Sequence, residues 1–98
     1  MILRSNTFVQ HQETLHGWTS RKPIQVYVLS NDGLWYLQKN VVFHGRKRFS
    51  VECFFGNETT QPGSVFKVVA VVSDERPHSP VVQLPEGAKS NPVTVILQ

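Results

Sequence analysis

The sequence predicts an all-β protein, an antiparallel sandwich of about seven strands, and three observations carry that reading. The stretches Arg48-Phe49-Ser50-Val51-Glu52-Cys53-Phe54-Phe55 and Phe66-Lys67-Val68-Val69-Ala70-Val71-Val72 each keep every second position apolar. Successive strand residues point to opposite faces, so Phe49, Val51, Cys53 and Phe55 line one surface, as do Phe66, Val68, Ala70 and Val72. Turn-forming clusters recur at intervals of about 8 to 12 residues, the spacing of a sandwich. No window sets apolar residues three and four apart between capping signals, so no helix is expected. An open barrel is the alternative closure.

The elements follow in order. Residues 1–6 read as a loose tail before a single domain occupying residues 1–98. Residues 7–10 and 14–18 read as the first two strands, and 24–30 as the third, with Ile24, Val26 and Val28 on one face. Asp32-Gly33 readily supplies the positive backbone angles of a tight hairpin turn, and Leu34-Trp35-Tyr36-Leu37-Gln38 returns from it. Val41-Val42-Phe43 pairs locally, and His44-Gly45 turns the chain into the Phe49 strand. Residues 56–64 connect the two alternating strands and are rich in turn formers. Residues 73–80 hold two prolines and clustered charges, which forbid a central strand. Residues 81–84, between Pro80 and Pro85, read as an edge or bulged segment with little pairing. After a loop over 85–92, Val93, Val95 and Leu97 form one face of the last strand.

Length bounds the core: 98 residues fold as one unit and bury about 60 to 65% of the unfolded surface. At 40% hydrophobic and 17% charged, the composition is that of a globular domain. No apolar run approaches the roughly 20 residues that span a bilayer, so no transmembrane helix is expected. The first residues lack the basic start and apolar stretch of a secretion leader, and one cysteine excludes an internal disulfide. Both features point to a cytoplasmic setting. The net charge of +3 and pI near 9.4 give a modest attraction for anions.

Gly17, Val26-Tyr27-Val28-Leu29, Trp35-Tyr36-Leu37-Gln38, the His44-Gly45 turn, residues 49–56 and Phe66-Lys67-Val68-Val69-Ala70-Val71 follow one another in an order that resembles immunoglobulin-like or fibronectin-type-III-like accessory domains of modular bacterial proteins. The resemblance covers residues 7–97. It departs from antibody domains in lacking a cysteine pair, and from the accessory domains at Gly45-Arg46-Lys47-Arg48-Phe49, where a small polar residue and Trp often stand. The resemblance implies an immunoglobulin-like β-sandwich that acts as a spacer, docking or recognition module and has no catalysis of its own.

Three groups of residues are candidates for contact with other molecules. Val69 and Val71 share the outward face with Lys67, which is more apolar than a solvated face requires; either a second layer covers them or they form a partner surface. Trp18, Trp35 and Tyr36 supply rings for stacking on sugars, though alternation turns Trp35 and Tyr36 to opposite faces. Arg46, Lys47 and Arg48 form the densest positive patch, with Lys39 and His44 nearby, and read as an anion patch or a solvated hairpin end. With no recognition helix or zinc-ligand set expected, nucleic acid is not the expected partner.

No catalytic or metal site is expected. His11, His16, His44 and His78 lack the closely spaced pairs of a metal centre. Asp74, His78 and Ser79 have the residue types of a hydrolase triad but sit within one proline-bound loop, whereas a triad draws its members from separate braced elements. Cys53 holds an inward strand position and reads as core. Asn57-Glu58-Thr59 fits the glycosylation acceptor pattern. The expected function is a non-catalytic module that docks to another protein or a neighbouring domain, without cofactor. The alternative is a carbohydrate-binding module using the Trp and Tyr rings.

Overall fold

The computed structural model describes all residues, Met1–Gln98, as nine strands without a helix. They are β1 (Ile2–Arg4), β2 (Phe8–Val9), β3 (Gln12–Trp18), β4 (Ile24–Leu29), β5 (Trp35–Gln38), β6 (Asn40–His44), β7 (Arg48–Phe54), β8 (Val65–Val72) and β9 (Val93–Leu97). One sheet has the order β1-β3-β7-β6 and the other β2-β9-β8-β4-β5. Alternation decides what lies between them. Leu15, Phe49, Val51 and Cys53 from the first sheet and Val26, Val28, Phe66, Val68, Ala70, Val95 and Leu97 from the second are buried in one apolar cluster. Each valine, leucine or phenylalanine among them contributes about 1.5–3 kcal/mol by leaving water.

Two aromatic pairs brace this core. Phe43 and Phe49 sit 5.9 Å apart on adjacent strands, and Phe55 and Phe66 meet at 5.5 Å, both tilted as ring quadrupoles favour. Gly17 lies opposite Phe49 in the β3–β7 ladder, and a Cβ there would overlap the Phe49 ring. The absent side chain is what makes room for that ring against β3. Gln38, buried at the end of β5, joins the sheets through polar groups: its Oε1 accepts from Phe54 N at 2.8 Å and its Nε2 donates to Tyr36 O at 3.0 Å.

The strand count is nine, not about seven. Val41-Val42-Phe43 belongs to a full strand, β6, which pairs with β7 over five positions. Residues 1–6 are not a loose tail: Ile2–Arg4 is a strand on β3, and Leu3 is 1% exposed. The N-terminal segment is divided between the sheets, β1 in one and β2 in the other, and β2 runs parallel to β9. That single pair makes the second sheet mixed instead of purely antiparallel.

The return from β8 to β9 shapes both outer surfaces. Val68 lies opposite Val93, but Val71 lies opposite Lys89, so three steps along β8 match four on the returning chain. This is a bulge of one residue, placed beside Pro92, which has no N–H to give a ladder. The bulge turns Asn91 toward β1, whose backbone it holds.

Ahead of it, residues 74–87 fold over the five-stranded sheet. Trp35 N donates to Val81 O at 2.8 Å and Val81 N to Trp35 O at 3.0 Å, and Val81 and Leu84 pack with Trp35 and Leu37 on Tyr27, Val69 and Val71. Residues 81–84 thus make one isolated bridge, in keeping with their flanking prolines.

Candidate functional site

The covering of Val69 and Val71 corrects the expectation of a partner surface there. Val69 is 6% exposed and Val71 0%, because the chain's own residues 74–87 form the second layer, and only Lys67 of that trio faces solvent. Beneath the cover, Tyr27 is buried with its hydroxyl donating to Gln25 Oε1 at 2.6 Å. Burial first, and the Glu75 charge second, raise its pKa above the usual tyrosine value.

The four-stranded sheet has no such cover. Its outward residues fall into rows fixed by register: Ile2, Trp18, Arg48 and His44 in one, and Arg4, His16, Ser50 and Val42 in the next. Ile2, Trp18 and Val42 remain 48%, 37% and 52% exposed. Arg4, Thr14, His16, Gly17, Trp18, His44 and Arg48 border an open depression of about 710 Å³ on this face, and none of its lining residues is acidic. The Arg4 guanidinium stacks over the Trp18 ring at 5.4 Å, a cation–π contact that holds both side chains. The internal polar contact here is His44 Nε2 to Ser50 Oγ at 2.8 Å. Arg4 and Arg48 are both exposed.

The three rings expected to form one platform are dispersed. Trp18 faces out from the four-stranded sheet, whereas Trp35 is half-buried beneath residues 81–84 on the other sheet. Tyr36 points the opposite way from Trp35 and donates to Asp32 Oδ2. That bond, followed by one from Leu34 N, lowers the Asp32 pKa below the usual carboxylate value. The separation follows from β5 alternation and from Trp18 and β5 belonging to different sheets.

The basic run is likewise divided. Arg48 joins the open face, while Arg46 and Lys47 sit exposed in the turn between β6 and β7. Arg4 and His16, absent from the sequence-based group, complete the polar surface. Alternation along β3 turns Thr14, His16 and Trp18 to one face, and the strand register brings them beside Arg4 and Arg48.

A second crevice of about 370 Å³ opens between the sheets beside Asp32, Tyr36, Gln38, Phe54, Asn57 and Thr60. Its polar groups are engaged with one another: Asn57 Oδ1 accepts from Thr59 N at 2.9 Å and Thr60 Oγ1 from Asn57 N at 2.9 Å. Elsewhere, Ser79 Oγ accepts from Leu37 N at 3.0 Å, fixing the strap to the edge of β5. Cys53 lies in the core, where burial, reinforced by the Glu52 charge, pushes its thiol up to about 12. No three His, Cys, Asp or Glu side chains gather where they could hold a metal ion. No helix is long and apolar enough to cross a membrane.

No family model matches the chain, and neither a curated protein nor a solved structure does.

Proposed function

We propose that this protein is a non-catalytic docking module, an immunoglobulin-like sandwich that contacts another protein or a neighbouring domain through the open face of its four-stranded sheet. The observation that carries this is the asymmetry of the two outer surfaces. Residues 74–87 cover β4, β5 and the C-terminal half of β8 on one sheet, leaving Phe8 and Val65 exposed on its far side. The other sheet has no such cover and presents Ile2, Trp18 and Val42 to solvent beside two arginines. Exposed Trp and Arg are the residue types that dominate binding energy at interfaces. The immunoglobulin-like reading is supported by strand order: the sheets β1-β3-β7-β6 and β9-β8-β4-β5 follow the connectivity of such folds, with the first strand split in two.

Area bears on the kind of contact. Four strands about 4.8 Å apart and at most about seven residues long give the face a flat outline of about 450 Å², to which side-chain relief and the adjoining turns add accessible surface. That scale is compatible with an interdomain contact. The carbohydrate alternative retains only Trp18 of its three rings on this surface.

Site-specific photo-cross-linking tests the proposal. A benzophenone side chain in place of Val42 should capture the partner or neighbouring domain in cells, and the same group in place of Val82, on the strap, should not. Capture from Val82 alone would refute the proposed face.

A further inference from the structure

The open face carries chemistry that defines its partner more narrowly. Arg4 and Arg48 flank Trp18 within the depression, His16 and His44 complete its border, and Arg46 and Lys47 stand in the adjoining turn. Glu52, opposite Thr14 in the next row of the same face, is the acid on this surface and accepts from Gln12 Nε2 at 2.6 Å, while Glu13 accepts from Gln10 N at 3.1 Å. The inter-sheet crevice, by contrast, has its Asp32, Asn57 and Thr60 groups bonded internally. Arg4, Arg48 and Trp18 line the depression with no acidic residue among its lining, and Ile2 and Val42 stand exposed beside it on the same sheet face.

We propose that this depression receives an acidic, partly apolar segment of a partner protein, whose carboxylates pair with Arg4 and Arg48 while its apolar side chains cover Trp18, Ile2 and Val42. The proposal rests on the docking reading above and adds the partner's chemistry. Arginine forks match carboxylates in two-point geometry, and complementary charge fixes register and speeds encounter. A second copy of the chain is disfavoured as occupant, since its matching face repeats the same positive charge. A nucleic acid would engage the cations and Trp18, but leave the aliphatic Ile2 and Val42 without an apolar counterpart.

An NMR titration of the isotope-labelled protein tests this, using a short synthetic peptide of alternating Glu and Val. Shifts should concentrate in β1, β3, β6 and β7 around Arg4, Trp18 and Arg48, and the matching Lys–Val peptide should produce none. Binding should weaken about tenfold in an Arg4→Ser/Arg48→Ser double variant and fall further in high salt. Arg48→Gln alone serves as a second variant should the double one lose its fold. Absence of localised shifts, or equal response to both peptides, would overturn the acidic-partner proposal. Oligothymidylate binding at the same residues, tighter than the Glu–Val peptide, would overturn it in favour of nucleic acid. Cross-linking from Val42 combined with no peptide response removes the acidic partner alone; loss of both removes the docking face as well.

Discussion

Asn91 clasps Leu3 from 88 positions away in the chain: its Nδ2 donates to Leu3 O at 2.9 Å, and Leu3 N donates to its Oδ1 at 3.0 Å. A side-chain amide presents one donor and one acceptor side by side, so Asn91 substitutes for a neighbouring strand along the free edge of β1. The β8–β9 bulge places the amide there, and β1 in turn carries Ile2 and Arg4 on the proposed docking face. A backbone irregularity in one sheet thus positions a surface of the other.

Asn91→Ala should therefore loosen β1. Two backbone groups lose their partner, at a cost of about 1–3 kcal/mol by urea denaturation. Amide exchange at Leu3 should accelerate more than exchange at Val51. Unchanged exchange at Leu3 would show that pairing with β3 alone holds the strand.

Gly17→Ala should destabilise by about 1–3 kcal/mol, since the new methyl overlaps the Phe49 ring within a filled core. Combining it with Phe49→Leu should recover part of the loss. The double-mutant cycle measures that coupling directly, and strict additivity would contradict the contact.

Residues 74–87 make Val71 and Val82 unequal, one lying beneath the cover and the other exposed on it. Val71→Ala should cost about 2 kcal/mol, from lost burial and a residual cavity. Val82→Ala should stay within about 0.5 kcal/mol because Val82 is 75% exposed. Thermal melts of both variants check the pair; equal effects would mean that residues 74–87 do not cover the sheet.

Cys53 supplies a pH dependence with a definite sign. Its thiol is held up to about 12 in the folded protein against an ordinary 9.0. Stability from this group is therefore fully present below pH 9.0 and is lost as pH rises from there toward about 12, because the unfolded chain ionises first. Urea midpoints should fall through that window more steeply for the native sequence than for Cys53→Ala. Below pH 9.0 the folded protein should resist iodoacetamide, and rapid labelling would contradict the burial.

Much of the fold was legible because period-two alternation is local information. Phe49 to Phe55 and Phe66 to Val72 announced their inward faces, and Asp32-Gly33 announced its turn. What escaped depends on partners distant in sequence. Ile2–Arg4 is too short to show a period, and its order comes from β3 and Asn91. Val69 and Val71 looked available because their cover, Val81 and Leu84, lies in a segment whose prolines signal a loop. Trp18 and Arg48 were visible as residues, but their meeting with Arg4 and His16 follows from strand register, which alternation leaves undetermined.

Hydroxyl-radical footprinting of the protein with and without its partner tests the asymmetry of the two surfaces most directly. Engagement should suppress modification of Ile2, Trp18 and Val42 while leaving Val82 and Leu84 unchanged. Protection confined to the strap residues, with Trp18 as reactive as in the free protein, would contradict the docking face proposed for the four-stranded sheet.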